Sequence, residues 1–90
     1  MKIRWTEKAA TQLEKIEVFI FRDKPKTAAG VIVNIIEHTA QLTAFPNSGR
    51  PGRKHGTREL VIVGTPFTVV YKQGSDAIEI VSVFHSAMMP

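Results

Sequence analysis

Residues 58–85 read RELVIVGTPFTVVYKQGSDAIEIVSVFH, and this stretch decides the fold. Three runs, Arg58–Val63, Phe67–Lys72 and Ala77–Phe84, are rich in β-branched and aromatic residues. Such residues suit a pleated, half-buried surface. Gly64-Thr65-Pro66 and Gln73-Gly74-Ser75-Asp76 supply turn chemistry between the runs. Connections this short make the three strands antiparallel neighbours.

Upstream, the apolar period changes from two to 3.6. Lys2–Trp5 alternates, with Ile3 and Trp5 on one side, and reads as a further strand. Thr6 stands as an N-cap, with Glu7 in the favourable first turn. Ala9, Leu13, Ile16 and Ile20 then share one helical face to about Arg22. Val18 and Phe21 fall off that face, either as a broadened buried band or as an exposed apolar strip. Pro25 fits the first position of a second helix. Ala28, Ile32, Ile35, Thr39 and Leu42 share a face of that helix, flanked by Val31 and Ile36. It runs for roughly five turns and stops before Pro46. The tight Asp23–Lys24 connection makes the two helices an antiparallel hairpin. The element order is β-α-α-β-β-β, so the class is α+β. Both helices carry an apolar stripe, so the hairpin covers one face of a mostly antiparallel sheet and leaves the other face open.

The whole chain of 90 residues has room for one core, and residues 1–90 read as a single domain. Its 43% hydrophobic and 22% charged residues exclude a disordered chain. It has no cysteine, which excludes disulfide scaffolds and thiolate metal sites. Met1–Lys8 carries three cations and no signal-peptide apolar run follows. The longest apolar stretches, Val18–Phe21 and Leu60–Val63, are far too short to cross a membrane. A cytoplasmic protein with no membrane contact is expected.

The net charge of +4 is unevenly placed. Residues 1–26 and residues 50–59 each carry +3, and the two intervening and following stretches each carry −1. The densest cations are Arg50, Arg53, Lys54 and Arg58, set among Pro46, Gly49, Pro51, Gly52 and Gly56. Gly and Pro mark this segment as a loop. It is either an anion-docking patch, for nucleic-acid phosphate or acidic side chains, or a solvated connection.

Chemistry-bearing motifs are few. His38, His55 and His85 lack metal-ligand spacing, and no phosphate-loop pattern is present. No metal and no cofactor are expected. Arg58-Glu59 opens the first strand of the meander, and adjacent strand residues point to opposite faces. Either Arg58 is poised on the open face for an anion or the pair specifies the fold. Read by strict alternation, His85 follows Glu79, Val81 and Val83. It is either an acid–base group or a strand-end histidine bonded to backbone. Tyr71 either stacks on a base or packs in the sheet.

The motifs fall in a recognisable order. They are Pro46-x-x-Gly49-Arg50-x-Gly52, Gly56-Thr57-Arg58-Glu59-Leu60, Thr65-Pro66-Phe67-x-Val69-Val70-Tyr71 and Ile80-x-x-Val83-x-His85-x-Ala87. Together with Trp5-x-x-x-Ala9-x-x-x-Leu13-x-x-Ile16-x-x-x-Ile20 and Ala28-Ala29, this set resembles the RelE/ParE toxin superfamily. The resemblance implies the toxin of a bacterial type II toxin–antitoxin pair. It implies a cognate antitoxin, ParD-like or another DNA-binding type, in a hetero-oligomer that reaches DNA only through the antitoxin.

RelE-like members cleave messenger RNA at the ribosome, whereas ParE-like members bind and poison DNA gyrase. RNA cleavage needs a base, an acid and cationic phosphate stabilisation. The open-face candidates are Arg58, Tyr71, Lys72 and His85. Leu60–Val63, Phe67–Val70 and Ile78–Phe84 hold no cation, and Ser86–Pro90 has no tyrosine. This departs from the RelE pattern and favours a ParE-like, gyrase-binding toxin that is not an enzyme. The alternatives are a ribosome-dependent endoribonuclease and an inactive relative acting only as an antitoxin co-repressor. Target contacts are expected at Arg50, Arg53, Lys54, Arg58 and His85. Antitoxin contacts are expected at Val18, Phe21 and Arg22 on the helical hairpin.

Overall fold

The computed structural model describes residues 1–87. The chain order is β1 (Lys2–Trp5), α1 (Glu7–Asp23), α2 (Pro25–Ala40), a 3-10 turn (Gln41–Thr43), β2 (Arg50–Pro51), β3 (Arg58–Val61), β4 (Phe67–Gln73) and β5 (Ala77–His85). The strands form one sheet in the order β1-β5-β4-β3-β2. β1 lies parallel to β5, and the other neighbours are antiparallel. A parallel neighbour needs a long crossover, and the helical hairpin followed by β2, β3 and β4 supplies it.

α1 starts where its cap dictates. Thr6 holds extended backbone angles, and its Oγ1 accepts the Ala9 N–H at 3.1 Å. Such a cap stabilises a helix by about 1 kcal/mol. Lys24 alone separates the helices, because Asp23 completes α1 and Pro25 opens α2. The second helix ends at Ala40, short of the expected extension through Leu42. The chain tightens there into the 3-10 turn, which still buries Leu42.

Ala9, Ile35, Leu42, Ile62, Phe67, Val69, Tyr71, Ile78, Ile80 and Val83 form the buried cluster between hairpin and sheet. Leu13, Ile16, Ile20 and Val31 pack against it as their helical phase requires. Ile36 does not join them and is exposed. Ile3 and Trp5 point into the core, so Lys2 and Arg4 fall on the opposite, open side of the sheet.

Two sheet features escape the sequence pattern. β2 is only two residues long and includes a proline, too short to show alternation. It turns the start of the basic loop into an edge strand. The second is a β-bulge. Tyr71 pairs with Ile80 while Val70 pairs with Ser82, leaving Val81 as the extra residue. A bulge reverses the facing of everything beyond it. Val83 therefore joins Ile78 and Ile80 in the core, and His85 follows Val83.

Candidate functional site

The basic loop is pinned to the sheet by two groups on opposite faces. On the open face, Glu59 is 3% exposed beneath the loop. Its carboxylate accepts the Arg50 guanidinium at 3.2 Å and the Arg53 backbone N–H at 3.0 Å. The Arg53 N–H bond, with the Arg50 hydrogen bond and both arginine charges, holds the carboxyl below its ordinary pKa against the opposing effect of burial. On the helix face, the Tyr71 hydroxyl donates to the Pro46 carbonyl at 2.8 Å and accepts the Gly49 N–H at 2.9 Å. A Cβ on Gly49 would lie 2.7 Å from the Tyr71 ring, so the loop can approach this closely only with glycine there.

These contacts correct three expectations. Arg58 pairs in register with Tyr71 and shares its face, so it is not on the open face. Its Nη1 donates to the Gly49 carbonyl at 2.7 Å, holding the loop from the helix side. Tyr71 is fully buried and cannot stack on a base. His85 meets Phe67 edge-on at 5.7 Å, and its Nδ1 accepts the Ala87 N–H at 3.1 Å. Because of the bulge, His85 also belongs to the helix face and not to the open face. Of the four open-face candidates, only Lys72 is on that face, opposite Glu79.

The open face gathers a different set. A cleft of about 190 Å³ lies between the loop and the strands, rimmed by Lys8, Arg53, Lys54 and Lys72. Val70, Val81 and Ser82 form part of its wall, so the bulge opens into it. Among the described residues Glu59 is the one carboxylate of the lining, and it is already engaged. Among the described residues, Lys8, Lys54 and Lys72 have no carboxylate partner. Lys8 was missed by sequence reasoning. It lies off the apolar face of α1, but only the crossover brings that helix start beside β5.

A second surface runs along the outer face of α1. A shallow groove of about 390 Å³ there is lined by Thr11, Glu14, Lys15, Val18, Phe19 and Arg22. Val18 and Arg22 thus line one groove. Phe21 is 60% exposed, outside the groove lining, and Phe19 is 72% exposed within it. Phe19 also lies off the Ala9–Ile20 face, so the same helical phase was the signal for it. Among the described residues no group of His, Cys, Asp or Glu could hold a metal ion. No helix among the described residues is long and apolar enough to cross a membrane. The family pattern's C-terminal segment, Ser86–Pro90, is described only through Ala87, and residues 88–90 lie outside the described residues.

Residues 3–90 match the family described as the ParE toxin of the type II toxin-antitoxin system parDE. The chain belongs to the ParE toxin family. It is 40% identical over 85 residues to the Sinorhizobium fredii protein named "Putative toxin Y4kP", covering 94% of this chain and 88% of that one. A chain from the chromosomal ParDE TA system of P. aeruginosa superposes with a TM-score of 0.86 at 27% identity, covering 94% of this chain and 95% of that one. A chain of the Mycobacterium tuberculosis RelBE2 toxin–antitoxin complex gives 0.65 at 24% identity, over 93% and 95% of the two chains. That second likeness shows the shared fold. The α+β architecture of two helices on a five-stranded mixed sheet is the ParE/RelE toxin fold.

Proposed function

We propose that this ParE-family toxin arrests growth by binding DNA gyrase, and that a cognate antitoxin neutralises it. The dispersal of the acid–base candidates carries this reading. Arg58 and Tyr71 are engaged with loop backbone on the helix face, His85 is bonded at a strand end on that same face, and Lys72 stands across the sheet. In-line attack of an RNA 2′-OH needs its acid, base and cation around one phosphate. The family match supports the same reading. Arg50, Arg53 and Lys54 remain the first target contacts to test.

The antitoxin is proposed to lie along α1, over Val18, Phe19 and Arg22, with Phe21 at its margin. The exposed apolar side chains there favour a partner that buries them. The solved relative belongs to a ParDE system, which supports a partner of that kind.

The decisive measurement is supercoiling by purified gyrase with added toxin, together with trapping of cleavage complexes. Inhibition or trapped complexes that antitoxin reverses are the expected result. Saturating toxin without either effect would sink the proposal. Specific cuts in translated messages, lost in His85→Ala with the fold intact, would establish the ribonuclease reading in its place. Expression without antitoxin and without a growth defect would establish a co-repressor.

A further inference from the structure

We infer that the cleft on the open sheet face binds phosphate, and that its occupant is the backbone of duplex DNA. The inference rests on the cleft alone and not on the identity of the target. It departs from the expectation that the toxin meets DNA only through an antitoxin.

The polar groups left over in the cleft are donors. Lys8, Lys54 and Lys72 are ammonium groups without a carboxylate partner among the described residues. The Ser82 hydroxyl also makes no hydrogen bond among them. The carboxylate of the lining, Glu59, is occupied by Arg50 and by the Arg53 N–H. A cleft of surplus donors and surplus positive charge calls for a ligand that only accepts, and phosphate oxygens do this. The loop side of the cleft is preorganised. Gly52 N–H bonds the Thr57 carbonyl at 2.7 Å, and the Thr57 hydroxyl bonds the Lys54 carbonyl at 2.6 Å. The Lys54 backbone therefore needs no ordering on binding.

Two observations choose duplex backbone over other phosphate carriers. Among the described residues no aromatic side chain lines the cleft, so they offer no stacking platform for the bases of a single strand. The cations also continue beyond one phosphate. Arg50 is 60% exposed on β2, on the loop side of the cleft. Arg4 lies on the same face across β1. Glu79 stands in register between Arg4 and Lys72 and lowers the potential there. Arg50 is paired with Glu59, so among the described residues the track of unpaired cations is Lys8, Lys54 and Lys72, contributed by α1, the loop and β4. Such a track suits successive backbone charges more than one isolated anion.

The test is fluorescence anisotropy of the purified toxin, without gyrase, on a labelled random-sequence duplex across a salt series. Lys8→Gln, Lys54→Gln and Lys72→Gln should each weaken binding and reduce the log–log salt slope by about 1. Lys72→Arg should retain the slope. Lys26→Gln, on exposed α2 surface away from the cleft, should change nothing. Unchanged circular dichroism shows that each variant is folded. Equal weakening by Lys26→Gln would reduce the effect to diffuse charge and overturn the proposal. Displacement of duplex by a mononucleotide at equal phosphate concentration overturns it in favour of a free-nucleotide site. Stronger displacement by polyglutamate overturns it in favour of an acidic peptide.

Discussion

Glu59 shows how one residue can set the geometry of a loop. Its carboxylate is almost fully buried, yet it keeps its charge because the Arg53 N–H and the Arg50 guanidinium both point at it. The sign of its linkage follows. The folded-state pKa lies below the ordinary value of 4.5, so the folded form favours the ionised group. That stability is fully present above the unfolded pKa and is lost as pH falls through the lowered folded one. Denaturant titrations should therefore show an acid limb beginning near the ordinary carboxyl range. Glu59→Gln should flatten its part of that limb and cost about 1.5–3 kcal/mol at neutral pH, the usual range for hydrogen bonds to a charged group. An unaltered acid limb in the variant would show that Glu59 does not hold the loop. Tyr71 and Gly49 anchor the same loop from the other face, through the hydroxyl and the absent Cβ respectively.

Among the elements, α1 carries two unlike surfaces. Its Ala9, Leu13, Ile16 and Ile20 stripe is used in the core, and its outer face still presents Val18 and Phe19. Both outer residues are more than half exposed, so replacing them removes little native packing. Val18→Glu and Phe19→Ser should shift unfolding free energy within about 0.5 kcal/mol, as exposed positions usually do. The same variants should weaken antitoxin binding by at least about tenfold, or 1.4 kcal/mol. Calorimetric titration against the antitoxin checks the second claim and chemical denaturation the first. Full-strength binding by both variants would move the antitoxin to another surface. β5 is the other instructive element. Its single extra residue, Val81, returns Val83 to the core and takes His85 off the open face.

For the molecule as a whole, size and exposure point to a protein completed by a partner. A 90-residue domain has stability on the order of 5–15 kcal/mol at most. Val18, Phe19, Phe21, Val33 and Ile36 of the hairpin, with Val61 and Val63 near the sheet edge, are large apolar groups left in water. A partner that binds only the folded toxin stabilises it by mass action, by about 4 kcal/mol at a thousandfold excess over its dissociation constant. The thermal midpoint of the toxin should thus rise steadily with antitoxin concentration. A midpoint independent of antitoxin would show that the complex does not support the fold.

Much of this organisation was legible in the sequence. The change from a 3.6-residue period to alternating strands, with Thr6, Pro25 and the two glycine-containing turns as punctuation, determined the order β-α-α-β-β-β. Those are local signals, because each depends on residues within a few positions of one another. Helical phase also placed Val18 and Phe21 off the Ala9–Ile20 face, and only the structure decided between a broadened buried band and an exposed strip in favour of exposure. Which chemistry faces which way was not legible. A two-residue strand is too short to show a period, and one extra residue in β5 reverses every later side chain without leaving a mark in composition. Lys8 and Lys72 are far apart in the chain and meet only because the crossover sets α1 over β5. The sequence by itself determined the two helices, four of the five strands and the two cationic surpluses. The tertiary structure alone decided that Arg58, Tyr71 and His85 lie on the helix side while the lysines share a cleft, because facing depends on strand register and bulge, not on residue type.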